Sequence, residues 1–407
     1  MKKTFTARAL MPKYVTQFQC IGGDCPDTCC AGWQISIDKQ TFSDYRRVVH
    51  PALKPLLKAN LEQDDKSSRQ RYGKLNLRES DGRCAMHSSQ GLCSVHQHLG
   101  EAALSDTCYH YPRMVQQYGD RFEQCLSLSC PEAARLALTQ GDAFEFVSAP
   151  LTTRVDTTIV RHPVHGFDLL AMDEVRAFSV QLFQTEGVTN IERLAVLGWM
   201  CQQIDNLVAA NSQAQLPELL LGLTELVQSG KLKEMVGQLM SQHSIGVTIF
   251  YMLFGNPMDP KRPANQQTVL AWVQQGLGIS AGKDGDLLEI EARYRRGMVL
   301  LTQNGEMFEK MVGRYLLNDL IRETFPWDRS SALLHYRRLL TRFGVVRLML
   351  AAVAAAHEKP LDDKTMAQVI QVFCRLYQHN LGFATGAEKS LVGLEWDRLD
   401  RLYSLLN

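Results

Sequence analysis

Residues 20–30 read Cys20-Ile-Gly-Gly-Asp-Cys25-Pro-Asp-Thr-Cys29-Cys30, four thiols within eleven residues, and Gly22 and Gly23 allow the tight backbone that wrapping an ion or a cluster demands. A second group follows in Cys84-Ala-Met-His87, Gly91-Leu-Cys93-Ser-Val-His96 and Ser105-Asp-Thr-Cys108-Tyr-His-Tyr-Pro-Arg113. Cys125 and Cys130 close the series; of the eleven cysteines only Cys201 and Cys374 lie beyond residue 130. The chain therefore has a cysteine-dense head and an ordinary body. Buried free thiols would not explain such clustering, whereas thiolates are soft donors suited to zinc and to iron–sulfur clusters.

The rest of the composition narrows the compartment and the class. A length of 407 residues exceeds one ordinary domain and suits two or three. Hydrophobic residues make up 45% and charged residues 21%, which excludes a disordered or fibrous chain. Lys plus Arg number 44 against 43 Asp plus Glu, so bulk charge argues for neither nucleic acid nor a membrane surface as partner. The first residues, Met1 to Lys13, carry two early lysines but no apolar run of about 7–15 residues behind them, so no signal peptide is expected. The expected compartment is the cytoplasm, where clustered cysteines serve metals more often than disulfides. The most apolar stretch, Val345 to Ala356, is interrupted by Arg347 and falls short of the roughly 18 residues of a membrane span. It reads as a buried core helix, and no membrane insertion is expected.

The expected fold is mainly α, with an irregular cysteine-rich metal-binding region at residues 1–145 carrying short strands and a helical domain at 146–407. Trp33, Ile35 and Ile37 alternate with polar residues as a half-buried strand does. Thr41 and Asp44 predict the capped start of a helix reaching about His50, stopped by Pro51. The polar stretch 62–71 reads as a loop, Phe122 to Ser129 as a second strand, and Glu132 onward as a helix. From about residue 170 helix follows helix. Leu194, Leu197, Cys201, Ile204 and Leu207 or Val208 share one face, Pro217 opens the next helix and Gly230 ends it. Further helices are expected at 232–243, 286–303, 305–323, 331–357, 362–381 and 391–406.

The spacing separates the metals the head could take. A structural zinc takes four ligands, commonly from paired Cys-x2–4-Cys knuckles. Cys25 and Cys29 would form one, but Cys84 and Cys93 stand too far apart to form its partner. An iron–sulfur cluster accepts four cysteines at more varied spacings, and the thiols here exceed one zinc's need, which favours the cluster. The Cys-x3-Cys-x2-Cys signature of radical enzymes that cleave S-adenosylmethionine is absent, because Gly32 occupies its third position. His87, His96, His98 and His110 read as surface or hydrogen-bonding residues, and Cys201 and Cys374 as core. Neither a Ser-His-Asp set nor a Gly-rich phosphate or dinucleotide loop is found.

The ordered string Phe18-Gln-Cys20-Ile-Gly-Gly-Asp-Cys25-x3-Cys29-Cys30-x2-Trp33, then Cys84, Gly91-Leu-Cys93-x2-His96, Leu99-Gly-Glu101, Leu104-Ser105-x2-Cys108-x2-Tyr111-Pro-Arg113 and Leu128-Ser-Cys130-Pro-Glu-Ala-Ala-Arg135, resembles the bacterial flagellin lysine N-methylase family. The head is also similar to small cysteine-cluster proteins described as zinc- or iron-chelating. The likeness spans about residues 14–136 and is looser in the body, where Tyr315-Leu-Leu-Asn318 and Phe325-Pro-Trp327 look like a recurring segment.

The resemblance implies a bacterial cytoplasmic protein-lysine N-methyltransferase. Such an enzyme moves a methyl group from S-adenosylmethionine to the ε-amine of flagellin lysines before export, and the head holds an iron–sulfur cluster, [4Fe–4S] or, as the alternative, zinc. The metal-binding cysteines carried over are Cys20, Cys25, Cys29, Cys30, Cys84, Cys93, Cys108 and Cys130. A lysine with pKa near 10.4 must shed its proton before it attacks a methyl group. Tyr111 and Asp106, with His110, are the candidate proton acceptors. Asn318, Tyr315 and Asp319 are candidate contacts to cofactor or lysine, and Arg113 could pair with a carboxylate of the cofactor. The rival reading is a non-enzymatic iron–sulfur or zinc carrier or adaptor, which would need no pocket for S-adenosylmethionine.

Overall fold

Strand β1, Thr4–Pro12, is built on strict alternation, with Phe5, Ala7, Ala9 and Met11 turned inward and Thr4, Thr6, Arg8 and Leu10 outward. In the computed structural model, which describes residues 2–65, 67–239, 245–255, 257–280, 285–327 and 330–406, β1 is the strand on which the head is assembled. With β2 (Ile35–Ile37), β3 (Leu61–Gln63), β4 (Gly73–Leu75), β5 (Arg113–Tyr118), β6 (Arg121–Leu126), β7 (Phe146–Arg154) and β8 (Thr158–Arg161), it makes two sheets, ordered β7-β1-β6-β5-β8 and β2-β4-β3. β1 runs antiparallel to β7 from Thr4↔Arg154 to Pro12↔Phe146 and parallel to β6 at Ala9↔Phe122.

The chain divides into two compact units. The first comprises Met1–Leu136, Gly141–Arg161 and Met258–Thr268; the second comprises Ala137–Gln140, His162–Pro257 and Val269–Asn407. The first unit thus runs past residue 145, because β7 and β8 complete its larger sheet. Its smaller sheet covers an apolar core of Ile35, Ile37, Phe42, Tyr45, Leu53, Leu57, Leu75, Met86, Val95 and Leu104.

The second unit is helical. Its centre is the helix Ala332–His357, whose residues Leu339 to Ala354 are all buried, so it is apolar all round as interior helices are. At 26 residues it is long and apolar enough to cross a bilayer, but 89% of its apolar window is buried among the other helices. Arg347 does not interrupt it; the guanidinium donates to the carbonyls of Leu405 and Leu406 and satisfies the last turn of the chain. Neighbouring helices reach this one through glycine. A Cβ on Gly297 of the helix Leu287–Thr302 would lie 1.9 Å from the Ala351 carbonyl oxygen, and one on Gly276 would lie 1.7 Å from that of Ala352.

Several expected elements differ in detail. The helix placed after Thr41 spans Lys39–Arg46, because Asp38 is its cap and accepts from the Thr41 N–H at 2.9 Å and the Thr41 hydroxyl at 2.7 Å. The second expected strand stops at Leu126, where Ser127 and Ser129 turn the chain. The helix expected at 391–406 is instead a helix Leu381–Gly393, a break at Glu395 with φ 57°, and a short helix Leu399–Tyr403. That expected at 362–381 is α-helical over Asp363–Phe373 and continues as a π-helix, Cys374–Gln378. The helix expected at 232–243 is observed over Leu232–Leu239, and its last residues lie outside the described residues. Helices Ile245–Phe254 and Ala264–Leu277 were not expected.

Gly297→Ala tests the glycine contact. Despite the better helix propensity of alanine, the substitution should lower stability by about 1–3 kcal/mol through backbone displacement, read as a lower urea midpoint.

Candidate functional site

The first unit gathers the thiols from five segments of chain. Gly22, at φ 58°, turns the loop that carries Cys20 and Cys25. This loop crosses the loop before Cys93 so closely that a Cβ on Gly91 would stand 3.3 Å from the Gly23 Cα. The Cys84 N–H donates to the Cys30 carbonyl at 2.6 Å, and the Trp33 indole N–H donates to the Cys29 carbonyl at 2.7 Å. Cys93 and Cys130 each precede a helix, Ser94–Leu99 and Pro131–Thr139, and their sulfurs accept from the first turn: Cys93 from the N–H groups of Val95 and His96, Cys130 from those of Glu132 and Ala133. Cys108 lies in the helix Asp106–His110, capped by Ser105.

Cys29 is the hub of this set, near enough to Cys25, Cys30, Cys84, Cys93, Cys108 and Cys130 for its charge to act on each of them. Burial pushes the thiols of Cys25 and Cys84 up to about 11 and those of Cys108 and Cys130 up to about 12, and neighbouring thiols add to the rise. The Cys30 thiol is raised first by its hydrogen bond with Cys29 and then by burial. Arg78 lowers the Cys84 thiol only in part, so these groups stay protonated at neutral pH; a bound metal would supply the further positive charge a thiolate needs. The donor set fits an iron–sulfur cluster or zinc in kind. Among the described residues no group of three or more His, Cys, Asp or Glu converges as the ligands of one ion do. Cys125 stands apart, buried in β6, and Cys201 and Cys374 are buried in helices of the second unit.

The loop is tied down by residues that sequence reading missed. Buried Asp27 accepts from the Gln266 amide at 3.0 and 3.1 Å, joining the cysteine loop to the distant segment 258–268. Asp106 accepts from Lys2 at 2.7 Å and from Arg154 at 2.9 Å, and Lys2 also bonds Asp38. The Arg154 guanidinium lies 3.9 Å from the Tyr109 ring centroid. Asp106 is therefore held by two cations, the environment of a structural carboxylate. No spacing rule links Lys2, Asp38, Asp106 and Arg154; only the pairing of β1 with β7 brings them together.

Of the other candidates, Tyr111 is half-buried, its hydroxyl 3.1 Å from the Ser129 hydroxyl and its ring 6.3 Å from that of Trp33. Burial lowers His110 to about 4, with Arg113 adding to the effect, so its imidazole is neutral and a weak base. Arg113 lies over the Phe18 ring and makes only a 4.0 Å ion pair with Glu101. Tyr315, Asn318 and Asp319 do not join this group. They lie on the helix Gly305–Glu323 of the second unit, each fully buried. Asp319 accepts from Arg342 at 2.8 Å, Arg322 at 3.1 Å and Gln378 at 2.8 Å.

A unit rich in gathered thiols joined to a helical unit is the class that fold and site define. The FliB lysine N-methylase C-terminal domain model matches residues 176–405, and the chain belongs to that family. It is 34% identical over 132 residues to the flagellar biosynthetic protein FliU of Salmonella muenchen, a stretch covering 32% of this chain and 78% of that protein. It is 34% and 35% identical, also over 132 residues, to the lysine-N-methylases of Salmonella choleraesuis (strain SC-B67) and Salmonella typhimurium (strain LT2). Those alignments span 32% of this chain and 33% of each of the two relatives. No solved structure matches.

The Asp38 cap gives a pH test. Burial opposes its ionisation, but Lys2, the Thr41 N–H and hydroxyl and the Asp106 N–H outweigh that and hold the carboxyl below the usual range. A depressed folded-state value stabilises the fold above the unfolded value near 4 and loses that contribution as pH falls through the folded value. Asp38→Asn should be less stable than the parent at pH 7, with the difference closing below about pH 4, measured by urea unfolding at both pH values.

Proposed function

We propose that the protein is a protein-lysine N-methyltransferase acting on flagellin in the cytoplasm, with S-adenosylmethionine as methyl donor and an iron–sulfur cluster, of the [4Fe–4S] type, held by cysteines of the head. The observation that carries this reading is the family match across residues 176–405. The thiols gathered around Cys29 support the cluster. When bound, the cluster would supply redox-active iron and a covalent tie among the cysteine loops.

Methyl transfer sets the demands on the protein. The neutral ε-amine lone pair forms a bond to the methyl carbon while the bond from that carbon to the sulfonium breaks, leaving S-adenosylhomocysteine. The attacking amine must be deprotonated, and the extra proton on nitrogen leaves to a base or to water. In-line approach needs nitrogen and methyl held about 3–3.5 Å apart. Tyr111, half-buried and hydrogen-bonded to Ser129, which in turn bonds Ser127 at 2.8 Å, is our proton acceptor. Asp106 serves as a positioning residue, because Lys2 and Arg154 already engage it. Arg113, with its long ion pair to Glu101, is our partner for the cofactor carboxylate. Tyr315 and Asn318 act through the packing of their helix.

The test is incubation of anaerobically purified protein with S-adenosylmethionine and flagellin, followed by intact mass. Flagellin should gain increments of one methyl group, and Tyr111→Phe should slow this by about 10²–10⁴-fold. No increment, with iron and sulfide confirmed in the protein, would sink the enzyme reading and favour a carrier.

A further inference from the structure

The helices Lys39–Arg46 and Leu53–Asn60 of the first unit are neighbours, and residues of both line a cavity of about 480 Å³. Phe42, Tyr45 and Leu57 form its apolar wall, and all three are buried. The same helices supply its charge. Arg46 follows Phe42 by four positions, one turn along the same face, and Lys54 and Lys58 are likewise four apart on the second helix. All three cations are exposed, so their heads reach solvent at the rim while the wall behind them is apolar.

The charge around this cavity is of one sign. Among the described residues no Asp or Glu lines it, and none pairs with Arg46, Lys54 or Lys58. Asp44 and Glu62 adjoin lining residues in sequence but are engaged elsewhere, Asp44 by Gln40 and Arg47, Glu62 by Lys74 and Asn76. Three uncompensated cations around one apolar cavity depart from a chain whose net charge is only +1. Lys54 and Lys58, one turn apart, repel one another, and an anion bound between them would relieve that repulsion. A concave, mostly apolar cavity of roughly 300–1,000 Å³ with a few convergent polar groups is the form that small-molecule sites take. Tyr45 ties it to the thiol region: its ring lines the cavity, while its hydroxyl reaches the backbone of Ser105, the cap of the Cys108 helix.

We propose that this cavity binds a small organic anion, an apolar body carrying a carboxylate or phosphate head. The body packs against Phe42, Tyr45 and Leu57, and Arg46, Lys54 and Lys58 hold the head. A cationic ligand is repelled by the rim, and an uncharged one of the same shape gains only the apolar contact. The proposal does not rest on methyl transfer.

The test is calorimetric titration of the full chain with decanoate and with monodecyl phosphate, each below its micelle concentration, beside decanol and decylammonium. At least one of the two anions should bind saturably, one per chain, and raise the urea midpoint as a ligand of the folded state does. Decanol should bind at least tenfold more weakly and decylammonium not at all, and added salt should weaken the anion. The double variant Lys54→Glu/Lys58→Glu, at exposed positions, should weaken the anion by about tenfold or more, while Lys310→Glu on the second unit should leave it unchanged. The comparison of head groups and the salt dependence are read on the parent protein, so they decide even if the double variant does not fold. No binding of either anion, equal binding of decanol, or an affinity untouched by the folded double variant overturns the proposal. So does binding to anionic phospholipid vesicles without binding of either free anion, which would make the three cations a membrane patch.

Discussion

Bringing eight thiols into one small unit is an electrostatic constraint on everything around them. Burial penalises each thiolate, and one formed next to another raises the cost further, which is why Cys25, Cys84, Cys108 and Cys130 are all pushed well above an ordinary thiol. The head meets this constraint with neutral thiols on a scaffold that other forces hold. Apolar burial fixes Cys30, Cys84, Cys93 and Cys108, and helix N-termini offer N–H groups to the sulfurs of Cys93 and Cys130. Those N–H groups favour a negative sulfur, so the two positions are prepared for the thiolate that a metal would require.

The scaffold depends in turn on long-range pairing. β1 lies between β7 and β6, and that arrangement brings Lys2 and Arg154 to Asp106 at the start of the Cys108 helix. Asp27 and Gln266 do the same for the Cys25 loop from still farther along the chain. Both ties are largely sheltered from solvent, where breaking one partner leaves a buried polar group uncompensated and is costlier than losing an exposed ion pair. The cysteine loops can therefore be short and rich in glycine, because their position is set from outside.

What could be read from the sequence follows from how local each signal is. The thiol clusters, the β2 alternation and the helices of the body were legible because motif spacing and helical periodicity are short-range. Thr189 and Glu192, for example, form a complete capping box ahead of the helix that carries Leu194 to Ile204. The five-stranded sheet was not foreseen: β1 shows its alternation plainly, but its partners lie more than a hundred residues away and β7 contains Pro150. Asp38 was overlooked as a cap because Thr41 and Asp44 offered a competing pattern three residues later. Tyr315 and Asn318 are candidate site residues from sequence likeness alone, and likeness does not distinguish a buried position from an exposed one.

The buried charges of the second unit show why that distinction matters. Asp319, Arg322 and Arg342 are almost wholly enclosed, and Gln378 reaches Asp319 from the π-helix. A well-packed apolar group in their place would often be as stable or more so, because desolvating ions is expensive. Their net effect is to fix three elements in one relative arrangement, since each partner misplaced leaves a charge unpaired. The Tyr315 hydroxyl sits beside this network, fully buried with no hydrogen-bond partner among the described residues. An unsatisfied buried hydroxyl costs roughly 1–3 kcal/mol, so the packing of this helix tolerates a penalty that substitution by phenylalanine would remove. The π-helix rewinds the helical ladder locally, and it is there that Gln378 joins the network. The helical body is thus organised around a charged centre of its own, chemically unlike the thiol-lined head.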